Sequence, residues 1–266
     1  MIDYHVHTLF SGDSTANLHE QLQAAASSGV EEICFTDHVD FDNPGHNFAP
    51  ADLIKRHEEL RKYKGYYNGV RIREGAEISM AADPACAAKT KAHLNGFEAD
   101  FIIGSLHVVD GIDVYYPEYH CGKPKEKAYL AYLETIAAVL PQYDFVSVLG
   151  HYDFVAKFAP YQDRSMSLEL SPSVRRAVED VFKTVIAMGK GIEINTAAWR
   201  NDPHWGLDVL KLYRSLGGEF VTFGSDAHTS SAVGRRLNET YELAREAGIP
   251  YYASFERMKP TFYPID

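Results

Sequence analysis

The sequence predicts an α/β protein: a parallel sheet of seven β-then-α units closed into a TIM-like barrel, with a metal site at the C-terminal ends of its strands. Three observations predict it. Short apolar runs alternate with longer helical patterns along the whole chain, and such alternation implies a parallel sheet with right-handed crossovers. The first run ends in Asp3-Tyr4-His5-Val6-His7, which points both histidines to one side because strand side chains alternate with a period of two. Six of the twelve histidines (His5, His7, His38, His107, His151 and His228) fall at or just past a predicted strand end, where barrels of this kind carry their functional face. An open doubly wound sheet also fits the alternation, but it does not bring every strand end to one point.

The elements follow in order. Ile2–His7 is the first strand, followed by a loop over Thr8–Ala16. Asn17 caps the first helix, with Glu20 in capping-box position and Gly29 as its stop. Glu32–Thr36 is the second strand and ends in Asp37-His38; a polar loop, Val39–Ala49, leads to a helix over Pro50–Lys64. Val70–Gly75 runs into Glu77, and the Ala- and Lys-rich stretch 82–95 reads as helix. Phe101–Gly104 closes with Ser105-Leu106-His107, and a loop bearing Tyr115, Tyr116 and Tyr119 precedes a helix over Lys125–Leu140. Phe145–Leu149 leads to His151. Ser171-Pro172 supplies a cap and a first-position proline for a helix that runs to Gly189. The sixth strand, around Ile192–Ile194, carries Glu193 and Asn195, and the helix Pro203–Leu216 stops at Gly217-Gly218. Phe220–Phe223 ends in Gly224-Ser225-Asp226-Ala227-His228, the last helix ends at Gly248, and Ile249–Ile265 reads as one or two short strands. With no linker, repeat or low-complexity run, a single domain over 1–266 is expected.

Composition narrows the function. Hydrophobic residues make up 45% of 266, ample for a sizeable core, and the net charge is −11. That charge disfavours nucleic acid or an anionic membrane as partner and suits an acidic metalloenzyme acting on a small molecule. Cys34, Cys86 and Cys121 form neither a Cys-x-x-Cys pair nor a disulfide framework. Neither a cleavable signal nor a spanning run is expected, so the reading is a soluble cytoplasmic protein.

A single buried histidine is ordinarily hydrogen-bonded to a carbonyl. Six histidines with Asp37, Glu77 and Asp226 at one barrel mouth are different, because a dry cavity cannot hold so many titratable groups without compensating charge. Divalent metal supplies it, and more than one ion is needed to use nine ligands. Mixed nitrogen and carboxylate donors suit zinc, manganese or iron.

The motifs Asp3-x-His5-x-His7, Thr36-Asp37-His38, Gly75-Ala76-Glu77, Gly104-Ser105-Leu106-His107, Gly150-His151 and Gly224-Ser225-Asp226-Ala227-His228 stand in an order that resembles the polymerase and histidinol phosphatase (PHP) family of metal-dependent phosphoesterases. The resemblance implies a distorted (β/α)7 barrel holding three divalent ions. His5, His7, Glu77 and Asp226 would hold the first, and Glu77 would bridge to a second held by His107 and His151. His38 and His228 would hold the third, with Asp13 where many members place a histidine. Ile192-Glu193-Ile194-Asn195-Thr196 followed by Arg200, His107–Gly111 and Gly217-Gly218-Glu219 are similar to the histidinol-phosphate phosphatase branch. That branch converts L-histidinol phosphate and water to L-histidinol and phosphate in histidine biosynthesis. The alternatives are a related phosphoesterase acting on a nucleotide or sugar phosphate, and a non-catalytic metal-binding regulatory barrel.

The chemistry expected is attack on phosphorus by a water or hydroxide bridging the first two metals, with Glu77 bridging and Asp226 accepting the proton. Arg200, then Arg164, are the expected phosphate contacts, since a guanidinium fork matches phosphate oxygens. Asp3 and Asp37 are expected to orient metal-bound histidines from behind, and Glu193 and Asn195 to support the cluster. Loop 39–49, with His46 and Phe48, and the Tyr115–Tyr119 cluster are expected to enclose the leaving group.

Overall fold

The structure, a computed structural model, describes residues 1–42, 49–169, 171–197 and 206–266. Seven strands lie parallel in chain order: β1 (Ile2–Val6), β2 (Glu32–Phe35), β3 (Val70–Ser79), β4 (Phe101–Ser105), β5 (Val148–Leu149), β6 (Gly191–Asn195) and β7 (Phe220–Gly224). The register of β1 on β2 slips between Asp3 and Val6. Beyond β7, one isolated parallel bridge joins Val6 to Ala227, and the His7 N–H donates to the Ala227 carbonyl at 2.9 Å. β8 (Tyr251–Glu256) extends the sheet from β7 in parallel, and β9 (Lys259–Pro264) returns antiparallel on β8.

β3 is longer than its apolar run predicts because it has a neighbour along its whole length. Its first half pairs with β2, its second half with β4 and with the two-residue strand His38–Val39, which sets His38 opposite Glu77. A β-carbon on Gly75 would strike the Phe101 carbonyl, so only glycine lets β3 and β4 approach this closely at the start of Gly75-Ala76-Glu77. β5 is shorter than Phe145–Leu149, because a turn, with the Val146 N–H bonded to the Tyr143 carbonyl at 3.2 Å, takes up its first residues.

Seven longer helices are α1 (Leu18–Ser28), α2 (Leu53–Leu60), α3 (Pro84–His93), α4 (Lys125–Val139), α5 (Pro172–Ala187), α6 (Leu207–Ser215) and α7 (Leu237–Glu246). The α1 capping box forms as its sequence requires: Asn17 accepts from the Glu20 N–H, Glu20 accepts from the Asn17 N–H, and Gly29 closes the helix in the left-handed region. α2 begins later than Pro50, since the Asp52 carboxylate accepts from the Lys55 N–H and sets the start there. Among the described residues no helix is long and apolar enough to cross a membrane.

At the N-terminal ends of the strands the interior is aromatic. Tyr4 and Phe101 meet edge to face at 4.9 Å between centroids, and Phe255 lies 5.0 Å from Phe101. The β8–β9 hairpin covers this end, its Arg257 and Met258 N–H groups bonding Asp100. At the C-terminal ends, β1, β3, β6 and the segment after β7 deliver buried His5, His7, Glu77, Glu193, Asn195 and Asp226 instead.

Candidate metal centre

Glu77, 1% exposed on β3, is the hub. Its Oε2 lies 3.1 Å from His5 Nε2, 3.4 Å from His7 Nε2 and 3.1 Å from His38 Nδ1. Its Oε1 lies 2.8 Å from His151 Nε2 and 3.4 Å from His107 Nε2. Asp226 stands beside it, with Oδ1 at 3.6 Å from His5 Nε2, 3.3 Å from His7 Nε2 and 3.4 Å from His228 Nδ1. Asp13 Oδ2 reaches His228 Nε2 at 3.1 Å and His38 Nε2 at 3.5 Å. All nine residues expected as ligands therefore meet in one cluster. Asp226 takes a left-handed backbone, φ 52°, uncommon for a residue with a side chain and typical of places where geometry serves a site.

The donor set fits metal. Donors about 2.0–2.1 Å from one tetrahedral ion stand roughly 3.3 Å apart, which is the spacing of most of these pairs. Buried His5 Nε2, His7 Nε2 and His38 Nδ1 have no hydrogen-bond partner among the described residues, yet all three face Glu77 Oε2. Left so, each would bear the cost of an unsatisfied buried polar group; a cation in their midst satisfies all three. Nearest-donor groups are His5–His7–Glu77, His5–His151–Asp226, His38–Glu77–His107 and His7–His38–His228. His38 thus faces both Glu77 and the Asp13–His228 side.

Electrostatics among these side chains point the same way. Burial drives the His7 imidazole down to about 3, with His228 and His38 adding to the fall. Burial also works against charge on His107, but Asp40, then Glu77, carry it up to about 10. His38 and His5 are held well above their ordinary value against burial, His38 by Glu77 and Asp40, His5 by Glu193 and Glu77. Burial would raise Glu77 and Asp226, yet His5 and His38 hold Glu77 well below its usual range, and Lys157 and His5 do so for Asp226. Protons on imidazoles stand where cations would.

Outer groups orient the imidazoles. Glu193 Oε1 takes His5 Nδ1 at 2.6 Å, which leaves Nε2 as the ligand atom. Gly224 makes room for that pair, since a β-carbon there would collide with the Glu193 carboxylate and His5. Ser11 donates its proton to Asp37 at 2.8 Å, so its oxygen accepts from His7 Nδ1 at 3.0 Å and His7 Nε2 carries the lone pair. Asp37 therefore acts on His7 through Ser11, and is itself held by Thr8 and by the buried Arg56 guanidinium at 2.8 Å. Asn195 donates to Glu193 Oε2 at 3.2 Å.

Two expectations need correction. Among the described residues Asp3 bonds no imidazole: its oxygens accept the N–H groups of Ser225 and Gly234, both at 2.9 Å, and so anchor the segment that carries Asp226 and His228. Tyr119 does not reach the cavity, because it is fully buried and donates to the Ala128 carbonyl. Tyr115 and Tyr116 do line the cavity of about 470 Å³ over the cluster, with Phe154, Phe158, Asp40 and Asp113. Arg164 stands behind this wall, its Nη1 3.4 Å from the Lys157 carbonyl. Arg200, His46 and Phe48 lie outside the described residues.

Sequence reading missed Asp40 and Lys157. Asp40 Oδ2 lies 3.3 Å from His107 Nδ1 and orients that ring; the spacing His38-x-Asp40 across the end of a short strand was the available signal. Lys157 Nζ lies 3.3 Å from Asp226 Oδ2, and no local pattern marks it.

The PHP domain family model matches residues 3–197. The histidinol-phosphatase of Lactococcus lactis is 30% identical over 263 residues, covering 97% of this chain and 95% of that protein. A Clostridium acetobutylicum protein named "probable histidinol-phosphatase" is 28% identical over 265 residues, 99% of this chain and 96% of its own. The crystal structure of the Lactococcus lactis histidinol phosphate phosphatase, complexed with zinc, L-histidinol and phosphate, is 28% identical, covers 98% of both chains and superposes with a TM-score of 0.85.

Proposed function

This chain belongs to the PHP-domain family, and we propose that it is a metal-dependent phosphomonoester hydrolase, a histidinol-phosphate phosphatase that converts L-histidinol phosphate and water to L-histidinol and phosphate. The observation that carries the reading is the convergence of five imidazoles on the two oxygens of Glu77, three of them with nitrogens otherwise unpartnered among the described residues. The near full-length likeness to a histidinol phosphate phosphatase solved with zinc, L-histidinol and phosphate supports the substrate.

His5, His7, Glu77 and Asp226 would hold one divalent ion, Glu77 with His107 and His151 a second, and Asp13, His38 and His228 a third; zinc, manganese and iron all suit these donors. Such ions, when bound, supply Lewis acidity toward water and phosphoryl oxygens at neutral pH. Glu77, with imidazoles against both of its oxygens, would hold two of the ions in place. Asp226 keeps Oδ2 turned from the histidines and is placed to take a proton from the attacking water. Arg200 is assigned to phosphoryl oxygens on its position after β6, whereas Arg164, which donates to the Lys157 carbonyl and does not line the cavity, is left to support the loop after β5. Tyr115, Tyr116 and Phe158 exclude water around the leaving group, and Asp40 and Asp113 suit an aminoalcohol that carries positive charge.

The parallel Val6–Ala227 bridge supports reading residues 1–266 as one domain whose sheet closes into a distorted seven-unit barrel. Three free cysteines suit a reducing cytoplasm, and the charge of −11 suits a small-molecule partner over nucleic acid or membrane. Steady-state kinetics on histidinol phosphate beside a panel of nucleotide and sugar phosphates tests the assignment, with metal content measured on the same sample. A strong preference for histidinol phosphate is expected; a flat response across the panel would overturn the substrate and leave the phosphatase chemistry standing.

A further inference from the structure

β1 and the segment after β7 meet on few backbone hydrogen bonds. β6 and β7 pair without a break from Ile192–Val221 to Asn195–Gly224, whereas β1 meets its neighbour at the isolated Val6–Ala227 bridge. There the His7 N–H donates to the Ala227 carbonyl at 2.9 Å, and the Ala227 N–H donates to the His5 carbonyl at 3.4 Å. This junction divides the cluster: His5 and His7 lie on one side, Asp226 and His228 on the other. A side chain from α1 spans it. Gln21, fully buried on the helix face that also carries Leu18, Leu22 and Ala25, donates from Nε2 to the His7 carbonyl at 2.6 Å and to the Ala227 carbonyl at 3.2 Å. Both amide protons are thereby used across the junction. The Gln21 Oε1 is buried with no hydrogen-bond partner among the described residues, a cost that an apolar side chain at this helix position would not carry.

We infer that Gln21 is a positioning residue for the metal centre, a staple from α1 that fixes His7 against Asp226 by holding the His7 and Ala227 carbonyls together. It bonds the backbone of the two ligand segments rather than a ligand atom. His7 Nε2 and Asp226 Oδ1 stand 3.3 Å apart across the junction, and a shift of about 1 Å between the segments would take them outside the span that one ion bridges. Along a continuous ladder the neighbouring pairs oppose such a shift. At an isolated bridge the side-chain staple opposes it, so the register of the two segments depends on Gln21. The inference rests on the metal-centre reading above. It competes with a plainer role, in which Gln21 only ties α1 to the sheet.

The two roles separate when Gln21→Met, which keeps the side-chain length and loses both donors, is set beside Leu22→Ala, which weakens the packing of the same helix. Each is followed by denaturant titration of the metal-free protein, by zinc affinity of the folded protein in chelator competition, and by hydrogen exchange of the metal-free protein over peptides that contain His7 and Ala227. Gln21→Met is expected to bind zinc between about tenfold and a hundredfold more weakly and to exchange faster in those peptides. Leu22→Ala should lose stability and keep a zinc affinity close to wild type. Wild-type zinc affinity in Gln21→Met overturns the inference. An equal loss of affinity in Leu22→Ala also overturns it, in favour of the plainer role. Should Gln21→Met fail to fold, wild-type protein labelled with nitrogen-15 provides the readout: the Gln21 side-chain amide protons should exchange more slowly on adding zinc, and exchange indifferent to zinc contradicts the proposal. A wild type that binds no zinc would instead defeat the metal-centre reading itself.

Discussion

The two ends of the same seven strands are built on opposite terms. At the N-terminal end Tyr4, Phe101 and Phe255 pack ring on ring, and the one polar atom among them, the Tyr4 hydroxyl, donates to Glu32 and accepts from the Phe255 N–H. At the C-terminal end the same strands carry titratable groups, and buried imidazole nitrogens face the carboxylates of Glu77 and Asp226 with no hydrogen-bond partner among the described residues. Tyr4 and His5 are neighbours in sequence, yet one serves the plug and the other the cluster. The contrast teaches where stability and chemistry reside: the plug stabilises the fold by burial, and the mouth gathers the titratable groups.

Substitutions at the two ends should therefore fail differently. The largest effect is expected for Glu77→Ala, which removes the carboxylate that five imidazoles face: turnover should fall by about three orders of magnitude or more, with metal content reduced and circular dichroism unchanged. Near-normal turnover would break the comparison. Phe101→Ala should do the reverse, costing about 3–5 kcal/mol of stability in denaturant titration while turnover per folded molecule stays close to wild type. Glu193→Gln is milder, since the amide still reaches His5 Nδ1 without the charge; metal affinity or activity should drop about tenfold to a hundredfold, read by chelator competition.

The smallest effect concerns pH. The His107 imidazole is raised from an ordinary 6.5 to about 10, so in the metal-free protein its protonated form stabilises the fold fully below 6.5, and that contribution is lost as pH rises through 10. His5 and His38 shift in the same direction. Metal ligands must be deprotonated, so loading should release protons at pH 7, and zinc affinity should climb until pH nears 10. A zinc titration in weak buffer that releases no protons would contradict this.

Much of the mouth was legible from the chain because its titratable residues sit at strand ends, where a period-two pattern and a following loop mark them. The α1 start was legible for the same local reason, through Asn17, Glu20 and Gly29. What stayed hidden depends on distant partners. Asp3 bonds residues 222 and 231 places away, so nothing near it told a backbone anchor from a histidine partner. Arg56 sits among charged neighbours on α2 and reads as solvated, yet it is fully buried against Asp37. Lys157 reaches Asp226 because a short 3₁₀ turn, Phe154–Ala156, lifts it over the cluster, and such a turn has no periodicity to read.

The central claim is that this mouth is a multinuclear metal centre bridged by Glu77. Anomalous X-ray scattering from crystals of the zinc-loaded protein tests it most directly. Three peaks within bonding distance of the nine ligands, two of them sharing Glu77, are the predicted result. A single peak, or peaks that leave Glu77 uncoordinated, would contradict it.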